Sequence, residues 1–79
     1  MDAGQVVARN IRRLRVLKGL SQEALAAEAE IDRTYISQLE RGIKSPTLNI
    51  LVKLSSSLRI RASELIRLME EETNELPRP

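Results

Sequence analysis

The chain has 79 residues, 42% of them hydrophobic and 30% charged, with a net charge of +2. Those totals suit one small folded domain near the lower limit for a self-sufficient core, and they argue against disorder. Histidine and cysteine are absent and Tyr35 is the sole aromatic residue, which excludes disulfides, thiolate or imidazole chemistry and the usual metal-ligand sets, and leaves an aliphatic core.

Met1 to Lys18 is predicted to form the first helix. Val7, Ile11, Leu14 and Leu17 recur at helical spacing, with Arg9, Arg12 and Arg13 off that stripe, and Gly19 ends it. Residues 1–20 carry a net +4. Charge spread through this stretch argues against a signal peptide, and no apolar run approaches the roughly 18 residues of a membrane span. Arg15 falls at the edge of the apolar stripe, an odd place for a guanidinium unless a carboxylate meets it.

Ser21 is placed to cap a second helix, Gln22 to about Ala29, in which Leu25 and Ala29 share a face and the other alanines permit close approach. Residues 21–32 carry four acids and no base. Glu30 and Ile31 leave room only for a sharp turn before the next helix, so the two short helices form a helix-turn-helix unit.

Asp32 to Gly42, DRTYISQLERG, is the stretch that gives the chain its purpose. Asp32 is a good N-cap and Gly42 a good stop. At about 100° per residue, Arg33, Ser37, Arg41, Thr34 and Gln38 fall on one arc of about 140°, with Tyr35, Ile36 and Leu39 opposite and Glu40 at the margin. A two-turn helix with one docking face and one face of hydrogen-bonding side chains suits reading the major groove of double-stranded DNA. Arg33 can pair with guanine O6 and N7, Gln38 with adenine, and Thr34 can offer its hydroxyl or methyl to a base edge. Arg33, Thr34, Ser37 and Gln38 are therefore the base-reading candidates.

Residues 43–46 form a loop, with Pro46 discouraging helix before it and Thr47 placed to cap a fourth helix, Leu48 to Leu58. Its Leu48, Ile50, Leu51, Val52, Leu54 and Leu58 span about 200° of the circumference. Lys44, Thr47, Asn49 and Arg41 surround the far end of the reading helix as candidates for the sugar–phosphate backbone, and Tyr35 joins them if its ring packs while its hydroxyl reaches a phosphate. After a break at 59–61, Ala62 to about Glu71 is the fifth helix. Leu65, Ile66, Leu68 and Met69 cover more of it than a terminal helix needs to close a small core. With part of helix four they are the candidate interface of a two-fold dimer, whose reading helices about 34 Å apart would match an inverted repeat. The expected architecture is all-α with five helices, one domain over residues 1–71 and a frayed tail over 72–79.

The pieces RLRVLKGLSQEALA (13–26), IDRTYISQLERG (31–42) and SPTLNILVKLSSSLRI (45–60) resemble the lambda-repressor/Cro-like helix-turn-helix domains, in order and with the usual spacing. Within that family DRTYIS followed by Leu-Glu-Arg is most similar to the controller proteins of restriction–modification systems. The resemblance implies a homodimeric regulator that binds inverted-repeat operators, controls its own gene and that of the endonuclease, has RNA polymerase as a further partner, and needs no cofactor. It also implies a structural ion pair between Arg15 and Glu40, and a DNA-backbone contact from Gln22, where the helix N-terminus also favours a phosphate. Three positions depart from the family pattern: Glu30 and Arg59 stand where relatives often have glycine, and Arg61 stands where they place a capping Ser or Thr.

The competing classes are weaker. An enzyme lacks its usual residues here, since there is no phosphate-binding glycine loop and the acids at 70–72 point around a helix rather than converging. A membrane-surface helix fits poorly without Trp or Phe on the apolar faces. The serious alternative is a helical module, such as an antitoxin, whose main partner is another protein. The absence of cysteine suits a reducing cytoplasm.

Overall fold

The computed structural model describes residues 3–73, which form α1 (Ala3–Leu17), α2 (Gln22–Ala29), α3 (Arg33–Glu40), α4 (Leu48–Ser57) and α5 (Ala62–Thr73), with no strand among them. The architecture is all-α, as expected. The last helix runs on to Thr73 rather than stopping near Glu71, and the rest of the tail expected to fray lies outside the described residues.

Capping chemistry fixes the helix boundaries. Ser21, Asp32 and Thr47 each turn a side-chain oxygen onto a backbone N–H of the turn that follows, at 3.0, 2.7 and 3.2 Å. The first four helices end in one common way. A residue one or two positions past each helix is left-handed, with φ of +71° at Gly19, +56° at Glu30, +74° at Gly42 and +59° at Arg59. Its N–H and the next one fold back onto the last carbonyls of the helix: Gly19 and Leu20 onto Val16 and Arg15, Glu30 and Ile31 onto Ala27 and Ala26, Gly42 and Ile43 onto Leu39 and Gln38, Arg59 and Ile60 onto Ser56 and Ser55. This pair of hydrogen bonds closes each helix and sets the exit angle of the chain. Glycine takes that conformation without a side-chain penalty, whereas Glu30 and Arg59 hold it at a cost of roughly 1–2 kcal/mol each.

The main core lies between the first four helices. Ile11, Leu25, Ile36, Leu39, Leu54 and Leu58 are fully buried there, with Ala26 and Ala29 between them. A second, smaller cluster of Val6, Leu65 and Met69 seats α5 against α1. Each fully buried aliphatic side chain stabilises the fold by roughly 1.5–3 kcal/mol. Neither cluster contains Phe or Trp, so Leu, Ile and Val, with Ala26, Ala29 and Met69, fill them.

The buried face of α1 is rotated from the expected stripe. Ile11 is buried and Val7 and Leu14 pack at the margin, but Leu17 is 72% exposed at the helix end. Val6, Ala8 and Asn10 complete the face instead. Asn10 is a polar residue the apolar pattern could not find. Its amide donates to the Val6 carbonyl and its oxygen accepts from Arg13, both at 2.9 Å, so it is satisfied while buried. On α4, Leu54 and Leu58 are buried while Leu48 and Val52 are exposed, so only part of the expected arc faces the core.

Candidate nucleic-acid interface

The α2–turn–α3 unit presents α3 as a rigid plate. Ile36 and Leu39 anchor its inner face at 0% exposure, and Tyr35 packs at the edge of the same core. Asp32 caps its first turn and the Gly42 turn closes its last. The strongest restraint is Glu40. Its carboxylate takes Nε and Nη2 of Arg15 at 2.6 and 2.9 Å and Nε2 of Gln22 at 3.2 Å. Arg15 also donates from Nη1 to the Leu20 carbonyl at 2.8 Å. The end of α3 is thereby tied to α1, to the chain entering α2, and to the first turn of α2 itself. The side chains of Arg15 and Glu40 are only 14% and 4% exposed, so this is a bidentate pair in a largely dry setting. The hydrogen bonds to Glu40 raise the Arg15 pKa, outweighing the opposing effect of burial.

On the outer face, Arg33 and Thr34 are exposed and Ser37 and Gln38 are half-buried. The four candidates thus share the side of α3 opposite its anchors, with the first two standing furthest out. Arg33 has a partner that the sequence did not suggest. Its Nε meets Oε1 of Glu23, in the first turn of α2, at 2.6 Å, with both side chains more than half exposed. The Glu23 carboxyl is held below its ordinary value, first by a backbone N–H at the start of α2 and then by Arg33 and Ser21. The meeting of Glu23 with Arg33 depends on the turn between the helices.

The backbone candidates divide. Lys44, Asn49 and Arg41 are exposed around the far end of α3 and the α3–α4 loop. Thr47 uses an acceptor lone pair to cap α4, which leaves its hydroxyl proton available to donate. Gln22 directs one amide N–H inward to Glu40, and the other remains for an outside acceptor. Tyr35 packs its ring at the edge of the core, and its hydroxyl lies 3.4 Å from the Ser45 carbonyl of the α3–α4 loop. Arg9, Arg12 and Arg13 of α1 line an open groove of about 670 Å³ together with Arg41. The fold therefore gathers basic side chains of α1 beside Arg41 at the end of α3.

The expected dimer surface needs correction. Leu65 at 0% and Met69 at 9% exposure belong to the monomer's own core, and a side chain already buried has no area left to offer a partner. Of the four, Ile66 (36% exposed) and the half-buried Leu68 retain accessible apolar surface. The helical period places 65 and 69 on one line and 66 on the next. Among the described residues no group of acids could hold a metal ion, and no helix is long and apolar enough to cross a membrane.

Comparison with known proteins bears on this arrangement. The helix-turn-helix family model HTH_3 matches residues 11–65, from α1 into α5. The chain is 38% identical over 71 residues to an HTH-type transcriptional regulator, y4dJ, of Sinorhizobium fredii, covering 90% of this chain and 92% of that one. The crystal structure of the restriction–modification controller protein C.AhdI from Aeromonas hydrophila superposes with a TM-score of 0.75 at 39% identity, over 78% of this chain and 94% of that one. The controller protein C.Esp1396I, solved as a tetramer on its natural 35 base-pair operator, superposes with a TM-score of 0.82 at 29% identity, over 91% and 95% of the two chains.

Proposed function

The chain belongs to the helix-turn-helix family, and from that premise we propose that it is a DNA-binding transcriptional regulator of the restriction–modification controller kind. It acts as a homodimer in the cytoplasm, on an inverted-repeat operator that governs its own gene and that of an endonuclease. The observation that carries this reading is α3 itself: anchored by Ile36 and Leu39, locked by Glu40 to both preceding helices, and turned outward with Arg33, Thr34, Ser37 and Gln38. The similarity to controllers, one of them solved on operator DNA, supports the same assignment.

The mechanism follows from division of labour. Gln22, Lys44, Thr47, Asn49 and Arg41 meet phosphates on either side of the groove and set the depth and register of α3. Arg33 and Thr34, at the entering end of α3, read base edges; Ser37 and Gln38 add contacts along the groove wall. Ile66 and Leu68 contribute to the contact with a second copy, which makes the operator symmetric. Activation from such a site requires contact with RNA polymerase, and the chain itself performs no chemistry.

Selection of bound duplexes from a random pool, at two salt concentrations and with Arg33→Ala alongside, tests the reading. A palindromic consensus is expected, with preference lost at one symmetric base pair in the variant. Affinity should fall with salt at a slope of about −0.9 per phosphate neutralised. Absence of enrichment over non-specific binding would move the assignment to a regulator whose main partner is another protein.

A further inference from the structure

Glu23 and Arg33 lie in different helices, 10 positions apart, and meet at 2.6 Å on the open side of the helix-turn-helix unit. The contact is to Nε, the inner nitrogen of the guanidinium. That atom is the one nearest the side-chain stem, so a carboxylate there fixes the plane of the fork without covering its outer edge. The two Nη nitrogens stay available as parallel donors, the arrangement that matches O6 and N7 of a guanine.

The buttress is itself fixed. Glu23 sits in the first turn of α2, where the exposed N–H groups and the helix dipole favour an acid. Ser21 caps the same turn through Ala24. On the other side, Arg33 opens α3 directly after the Asp32 cap, so its backbone is equally determined. Two rigid helix starts, joined by the left-handed turn at Glu30, bring a carboxylate and a guanidinium together.

An acid this close to a DNA-facing surface is unfavourable for binding as such, because it repels phosphates. Its presence is accounted for if it acts on selectivity. A long arginine alone would sample many orientations and could contact a phosphate in any sequence. Pinned at Nε, it loses that freedom before binding and presents one edge to one place. Resting on the assignment of Arg33 as a base reader, we infer that Glu23 is a positioning residue that orients Arg33 for guanine and so sets base preference, at the expense of overall affinity.

The test measures relative affinity for the four base pairs at the symmetric operator position read by Arg33, for the full chain as wild type, Arg33→Ala, Glu23→Ala, Glu23→Gln and Glu23→Ala/Arg33→Ala, with thermal unfolding of each. Arg33→Ala should remove discrimination at that position, a loss of about 10- to 100-fold for a bidentate contact. Glu23→Ala should reduce discrimination there by about two- to fivefold, the range of an exposed ion pair, while binding to unrelated DNA becomes tighter. Glu23→Gln, whose amide oxygen can still accept from Nε, should restore most of the preference. In the double variant Glu23→Ala should have no further effect on preference. A purely structural Glu23 would move the unfolding temperature and leave base preference intact; that result, with Arg33→Ala still losing discrimination, overturns the positioning role alone. If Arg33→Ala leaves preference unchanged, the base-reading assignment falls and the inference with it.

Discussion

Replacing Glu40 with alanine should be the most damaging single polar substitution in the described part of the chain. The change strands the Arg15 guanidinium, 14% exposed, and removes the acceptor for Gln22. Breaking a buried pair by deleting one partner costs about 3–5 kcal/mol. Arg15 keeps its bond to the Leu20 carbonyl at 2.8 Å, which places the expected loss at the lower end, about 3 kcal/mol. A domain of this size has roughly 4–12 kcal/mol in total. At about 4–8 °C per kcal/mol, Tm should therefore fall by at least about 12 °C. Circular dichroism melts and urea titrations at one fixed protein concentration measure this, because the proposed dimerisation would make both quantities concentration-dependent. A loss under about 1 kcal/mol, the range of exposed pairs, would refute the idea that this pair is dry and structural. Converting both residues together, Arg15→Met with Glu40→Leu, should recover most of the stability, since an apolar pair leaves no charge stranded. Arg15→Lys should not, because an ammonium cannot span both carboxylate oxygens and reach Leu20 as the fork does.

Three further outcomes can be checked. Arg59→Gly and Glu30→Gly should each raise stability by roughly 0.5–1 kcal/mol in urea titrations, as relief of the left-handed strain outweighs the added entropy of the unfolded chain; loss of stability at either would mean the side chain contributes contacts that offset its backbone cost. Leu65→Ala should destabilise the monomer by about 2–5 kcal/mol, whereas Ile66→Lys should leave the melt nearly intact but weaken self-association in sedimentation equilibrium. For Glu23, carboxylate NMR titration should give a value below the ordinary 4.5, rising in Arg33→Ala. Because the folded value is depressed, its stabilising contribution is present above the unfolded value and is lost as pH falls through the folded one; an unchanged titration in the variant would mean that the ion pair does not form in solution.

Much of this protein is written in local signals. Ser21, Asp32 and Thr47 mark helix starts because a cap needs only a short polar side chain and the turn that follows it. Gly19 and Gly42 mark helix ends because a left-handed residue favours glycine. The periodicity of α3 separated Ile36 and Leu39 from Arg33, Thr34 and Ser37, since one helix's faces depend on its own sequence alone. Those features, with the family resemblance, were sufficient for the all-α architecture and for the side of α3 that looks outward. What tertiary structure decided are matters of how one helix meets another. It rotated the buried face of α1 toward Val6 and Asn10 and left Leu17 in water. It divided the apolar arc of α5, drawing Leu65 and Met69 into the monomer and leaving Ile66 outside, because a moderately wide face cannot say how much of itself the adjoining helices will cover. It turned the Tyr35 hydroxyl onto Ser45 and brought Glu23 to Arg33 across the turn at Glu30, a contact between residues whose neighbourhood exists only after the chain has bent back at a left-handed position that neither propensity nor periodicity favours.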